Sequence, residues 1–326
     1  MYIESKLLYF LAIYCTLFFL RLYLPPSYFA DYIAYENIVN NSSSIFDNSL
    51  YEWLTYATFS LFGNLRLLGL DPVYWLYIYN FLLVGSLFFL LIKISSNTLS
   101  GVFIIMALYA ALFSYVLLRA APAYLVIALS VVYGSIGKKK TSSLLAFISI
   151  FYHISAVLPA IVVVLLNINS PSIYKLSGIF FKLSIVLAIL QIINIWLGVN
   201  IMPSALIDVI SEYESIEKYG VYVENSNKIT VYHVVYFIIS CSIIILLRIK
   251  DVLVSKYLAL YFYILFGLCA VMIISPVAAF RMSIFYMLPL LLIFPWNHFL
   301  NGIARYFIYI FSPFLFYFSF SGLVAK

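Results

Sequence analysis

Apolar residues run along this chain in long blocks, and polar residues are confined to short clusters between them. The clearest blocks are 73–92, 101–118, 183–197, 231–247 and 257–274. Each lies near or slightly below the ~20 residues that a helix needs to cross a hydrocarbon core. They recur too often to form the interior of one soluble domain. A membrane β-barrel would alternate apolar and polar residues over about ten positions, and no such alternation is present. Helices satisfy their backbone groups internally, so the pattern predicts an all-α polytopic transmembrane bundle of about nine to eleven spans, some broken or re-entrant. The first block, 7–24, follows Lys6 and precedes Pro25 and Pro26 without a small-residue cleavage pattern, so it reads as a retained first helix.

Composition agrees with the pattern. The chain has 326 residues, of which 66% are hydrophobic and 9% charged, and its mean hydropathy is +1.10. No internal repeat, low-complexity tract or linker interrupts it, so residues 1–326 read as a single integral membrane domain. Cys15, Cys241 and Cys269 stand singly within apolar blocks, which fits small core residues much better than a metal site or disulfide framework. Asn40 and Asn41 each begin an Asn-x-Ser pattern that has meaning only in a secretory lumen.

Basic residues give the expected sidedness. Lys138, Lys139 and Lys140, followed by Arg248, Lys250 and Lys256, mark cytoplasmic ends. One crossing back from Lys138, over 120–137, places Arg119 at the external surface. One crossing forward from Lys256, over 257–275, does the same for Arg281. External loops are expected near 25–52 and 201–230, both poor in basic residues. Within the first, 29–39 predicts a short helix with Asp31 and Tyr35 on one face.

Charge placement does not fit a simple alternation of spans over 141–200. Lys175 and Lys182 read as cytoplasmic, whereas a single crossing over 144–166 would put them outside. A broken, re-entrant helical pair over 142–167, turning near His153, removes the conflict. Such a turn is tolerated where protein or water buries it.

Few residues here can carry chemistry. An arginine at bilayer depth costs roughly 2.5–3.5 kcal/mol on insertion scales, so Arg119 and Arg281 call for partners. Pro122 and Pro276 disfavour helix at the residues before them, which sets both arginines near helix breaks. Arginine forks beside new helix N-termini suit a phosphate or pyrophosphate, although each alone could equally snorkel to lipid headgroups. His153, thirteen residues beyond Lys140, sits roughly 20 Å along a helix, and serves either as a proton carrier or as a satisfied polar residue between helices. Asp31 or Glu52 could act as general base on a sugar hydroxyl, against the alternative of a solvated face. The chain lacks a Gly-x-x-x-x-Gly-Lys phosphate loop, a His-Glu-x-x-His site, a Gly-x-Ser-x-Gly elbow and paired cysteines. Any reaction must then draw on an activated substrate, such as a lipid diphosphate presented from the bilayer.

Taken in order, several short pieces resemble the EpsG family of bacterial polysaccharide polymerases, relatives of the Wzy O-antigen polymerases. The pieces are Asp31-Tyr32-Ile33-Ala34-Tyr35, Glu52-Trp53, Leu118-Arg119 followed by Ala123, Tyr152-His153-Ile154-Ser155-Ala156, Lys218-Tyr219-Gly220-Val221-Tyr222, and Arg281 with Phe285-Tyr286. Ala120 and Pro122 depart from the expected pattern beside Arg119. The resemblance implies a glycosyltransferase-C-like fold in a bacterial inner (cytoplasmic) membrane, crossed many times. It implies transfer of a glycan from an undecaprenyl diphosphate carrier onto a carrier-linked oligosaccharide repeat unit at the periplasmic or external face. No metal or other cofactor is implied. The partners implied are the carrier-linked oligosaccharides, membrane lipid and a chain-length regulator, with no nucleic acid. In that scheme Arg119 and Arg281 grip the departing pyrophosphate and His153 supports or protonates it. Asp31 or Glu52 handles the acceptor hydroxyl, and Lys218, Tyr219 and Tyr35 contact substrate. A flippase-like carrier of lipid-linked sugars and a membrane O-acyltransferase acting on polysaccharide are the alternatives. The absence of repeats argues against the first, and unchanged chain length would mark the second.

Overall fold

The computed structural model describes residues 2–25, 32–41, 52–95, 99–168, 172–197, 264–265, 267–268, 276–293 and 302–321. Among them every regular element is helical: α1 (Tyr2–Tyr23), α2 (Tyr32–Asn41), α3 (Trp53–Gly63), α4 (Pro72–Ile94), α5 (Leu99–Ile105), α6 (Ala121–Ser135), α7 (Lys139–Tyr152), α8 (Val157–Asn167), α9 (Ser172–Leu197), α10 (Pro276–Ile293) and α11 (Gly302–Ser321). Three stretches among the described residues, Ser5–Tyr23, Pro72–Ile94 and Leu99–Val116, are long and apolar enough to cross a membrane. This is the composition of a membrane protein. Its chain groups into two compact units, Met1–Ile168 with Leu288–Lys326, and Asn169–Met287.

In the first unit α4 shows how one helix serves both lipid and core. Val73, Leu76, Tyr77, Phe81, Val84, Phe88 and Leu91 are buried at helical spacing, while Trp75, Tyr79, Leu82 and Leu90 on the other side are equally apolar and exposed. A helix apolar all round makes sense only where its outer face meets hydrocarbon. At the centre lies α6, buried on every side through Ala121–Val132. It packs on α7 through small residues, Ser142, Ala146 and Ser149, all with 0% exposure, which let the backbones approach. Ser130 on α6 donates its hydroxyl to the Ser142 carbonyl at 2.6 Å across that seam.

The helix after Leu99 departs from α geometry. Two π-helical turns, Met106–Ala110 and Leu112–Val116, precede a break at Leu117–Ala120. Pro122 at the start of α6 has no N–H to give the Leu118 carbonyl, and its ring would clash with it, so one continuous helix is forbidden here. Side chains take carbonyls that the loosened turns leave over: Asn80 Nδ2 donates to the Phe113 carbonyl at 3.3 Å and the Tyr35 hydroxyl to the Val116 carbonyl at 3.0 Å.

Proline acts the same way between α7 and α8. Pro159 would clash with the Ser155 carbonyl in an unbroken helix, and the chain instead becomes extended at His153, with φ −155° and ψ 130°. At 1.5 Å per residue α7 is about 21 Å long and α8 about 16 Å, so neither crosses ~30 Å of hydrocarbon. The second helix turns back. Asn167 at the end of α8 donates to Ser142 Oγ at 2.9 Å, Ser143 Oγ at 3.0 Å and the Lys139 carbonyl at 3.4 Å, all in the first turn of α7. The pair expected over 142–167 is thus a hairpin whose two ends meet and whose tip is His153.

The second unit is described mainly by α9, a helix of 26 residues that covers the block 183–197, and by the part of α10 that precedes Leu288. Gly267 lies so close to Phe180 that an added Cβ would stand 2.6 Å from the ring. The blocks expected at 231–247 and most of 257–274 fall outside the described residues, as do most of the loops near 25–52 and 201–230.

Candidate functional site

Three breaks in helical structure converge at the end of the first unit opposite Lys138–Lys140: the N-terminus of α3, the turn before α6 and the tip of the α7–α8 hairpin. Each contributes one functional side chain. Glu52 occupies the N-cap position of α3 but makes no capping bond, because its carboxylate turns inward. It is 5% exposed. Its Oε2 accepts a hydrogen bond from Arg119 Nη2 at 2.5 Å. On the other oxygen, Oε1 accepts from the Ile154 amide at 3.4 Å and faces His153 Nε2 at 3.7 Å. One buried carboxylate therefore joins an arginine, a histidine and the tip of the α7–α8 hairpin.

Supporting contacts fix the geometry. The Thr55 hydroxyl donates to the Tyr152 carbonyl at 2.7 Å, satisfying the end of α7 and tying α3 to it just before His153. The Tyr35 hydroxyl, through Val116, holds the segment leading to Arg119. Its ring packs edge-on against Phe59 and Tyr77. Tyr35 is 5% exposed and its hydroxyl is engaged, so it shapes the arginine turn.

Burial works to lower the pKa of Arg119, but the Glu52 charge and hydrogen bond outweigh it, with smaller contributions from Tyr35 and Tyr56, and the net shift is upward. The guanidinium is a permanent cation. Its side chain is 30% exposed, and only Nη2 has a hydrogen-bond acceptor among the described residues. The remaining N–H groups of the fork are available to an anion.

The tautomer of His153 follows from its neighbours. Ser155 presents its backbone N–H to Nδ1 at 3.2 Å, and an amide can only donate, so Nδ1 carries the lone pair. Nε2 then carries the proton of the neutral ring, directed at Glu52. Ser155 Oγ lies 2.7 Å from the same Nδ1 and is therefore a second donor to it. The ring is 23% exposed, deep in the fold yet open on one side.

Of the residues expected to act, Glu52, Arg119 and His153 are brought together, with Tyr35 behind them. Arg281 is half-buried on α10 and belongs to the second unit. Asp31, Lys218 and Tyr219 lie outside the described residues. Two residues were missed. Ser155 had a signal, a hydroxyl two positions after the histidine and four before the proline that breaks the helix. Arg21, in the last turn of α1, is 3% exposed; Nη1 donates to the Leu24 carbonyl at 2.9 Å, and the guanidinium lies 4.8 Å from the Tyr77 ring centroid. Its Nε and Nη2 have no hydrogen-bond partner among the described residues. Among the described residues no cluster of His, Cys, Asp and Glu has the makings of a metal site. Compared with protein-family models, curated proteins and solved structures, the chain matches none.

Proposed function

We propose that this protein is a polysaccharide polymerase of the inner bacterial membrane, one that transfers a growing glycan from an undecaprenyl diphosphate carrier onto a carrier-linked repeat unit. The observation that carries the reading is Arg119: a cation held on one nitrogen by a buried carboxylate, partly open to solvent, with no acceptor for its other donors among the described residues and an imidazole beside the same carboxylate. Departure of a lipid diphosphate accumulates charge on phosphate oxygens, and a fixed cation stabilises that charge without reorganising. Lys138–Lys140 lie at the opposite end of α6 and α7, and the excess of basic residues that marks cytoplasmic loops supports an external position for the cluster.

In this reading Arg119 binds the leaving diphosphate and His153 supports or protonates it. Glu52 holds both in register. With both Glu52 oxygens engaged, Asp31 becomes the preferred base for the acceptor hydroxyl. The family resemblance adds Arg281 to the phosphate side and Lys218 with Tyr219 to the donor side. The test replaces Arg119 or Arg281 by Ala in a host whose surface glycan depends on the protein, followed by measurement of chain length. Arg119→Ala should leave single-repeat products at normal protein abundance. Full-length polymer from that variant would refute the assignment.

A further inference from the structure

Ser155, His153 and Glu52 are joined in the order that activates a serine. The Ser155 amide fixes the lone pair of the ring on Nδ1, so Ser155 Oγ, 2.7 Å away, donates to that nitrogen. The opposite nitrogen carries its proton toward Glu52 Oε1 at 3.7 Å, beyond hydrogen-bond length in the neutral ring but placed to shorten once the ring is charged. Glu52 is buried and stays in place because Arg119 and the Ile154 amide hold it. Ser155 is only half-buried, at the first turn of the returning half of the hairpin. In the familiar serine hydrolase arrangement Nε2 faces the serine and Nδ1 the acid; here the ring is reversed, with the same three roles filled.

We propose that Ser155 is a nucleophile in an acyl-transfer reaction, with His153 as general base and Glu52 as the group that steadies the imidazolium. The donor is an ester or thioester, and the acceptor is a hydroxyl of a sugar or of water. Oγ attacks the acyl carbon, forming the C–O bond, and its proton passes to Nδ1. The bond from the acyl carbon to the donor oxygen or sulfur breaks, and the leaving group takes that proton. The acceptor hydroxyl then attacks the seryl ester, giving its proton to Nδ1, and Oγ recovers one as it departs. No oxidant, reductant or metal enters this balance. Arg119, fixed on the other carboxylate oxygen, holds Glu52 in place beside the ring. This activity stands apart from glycosyl transfer: it needs a reactive Ser155 and no diphosphate.

The full-length protein in detergent micelles, treated with a fluorophosphonate probe, tests it. The native chain should form a covalent adduct that peptide mass analysis assigns to Ser155, and Ser155→Ala should abolish it. His153→Asn should slow labelling at least about tenfold, as expected on loss of a general base. Ser155→Cys should take up iodoacetamide in place of the phosphonate, which keeps the site readable if the alanine variant folds poorly. Labelling at background level in native protein, an adduct that persists in Ser155→Ala, or undiminished labelling in His153→Asn would each overturn the proposal. Glycan chain length in Arg119→Ala reads the polymerase assignment separately, since it is scored without the probe.

Discussion

Replacing Arg119 by Met should destabilise the protein more than replacing Glu52 by Gln, and the double variant should be less damaged than the two losses added together. Two unit charges about 3 Å apart interact by roughly 5–6 kcal/mol at an effective dielectric of about 20, before desolvation is subtracted. Stranding one member of a buried pair costs about 3–5 kcal/mol. The two side chains differ in burial, 6% exposed for Glu52 against 30% for Arg119. Arg119→Met strands a carboxylate away from water, so about 3–4 kcal/mol is expected. Glu52→Gln keeps a hydrogen-bond acceptor and leaves an arginine that water still reaches, so about 2 kcal/mol is expected. Because each single change removes the same contact, the double variant should recover about 2 kcal/mol of the sum. Thermal unfolding in one detergent, at about 2 °C per kcal/mol for a chain of this size, reads these as midpoint drops of roughly 6–8 °C for Arg119→Met, about 4 °C for Glu52→Gln and roughly 6–8 °C for the double variant. Strict additivity, or a milder effect for Arg119→Met, would refute the idea that this pair forms the core of the site.

Three further outcomes follow from the fold. Cysteines placed at Lys140 and Ile168 should be labelled from the same side of the membrane, and one at Leu70 from the other, as an impermeant maleimide would show; opposite labelling of the first two would eliminate the re-entrant hairpin. Tyr35→Phe removes one of the two donors to the Val116 carbonyl and leaves it the Leu118 amide, so stability should fall by about 1 kcal/mol, with an unchanged unfolding midpoint counting against the clamp on the arginine turn. Gly85→Ala would bring a Cβ to 2.4 Å from the Tyr14 ring, which is pinned through its hydroxyl by Phe81 and Ser114. The ~1 kcal/mol gain in helix preference should be outweighed by overpacking, for a net loss of about 1–2 kcal/mol.

Much of the architecture was legible in order of residues alone. Block length and hydropathy gave the helical class, because a membrane solvent rewards long apolar helices regardless of their neighbours. Pro122 gave the break beside Arg119, because a missing N–H and a ring clash act within one turn of the chain. The clash between basic residues and span counting was enough to predict the hairpin over 142–167, since charge reports the side of the membrane. Pairing was not legible. Glu52 and Arg119 are 67 positions apart, and Glu52 read equally well as a solvated loop acid until α3 and the α5–α6 turn were folded against each other. That the Tyr35 hydroxyl reaches the Val116 carbonyl could not be read either, because the π-helical turns that present this carbonyl leave no mark in the hydropathy pattern. The role of Ser155 hinges on which nitrogen of His153 holds the proton, and that is set by a backbone amide at 3.2 Å. Sequence thus determined solvent, helix length and break points, which are local properties; tertiary structure alone decided which side chains from separate breaks share one buried carboxylate, because that depends on distances between segments far apart in the chain.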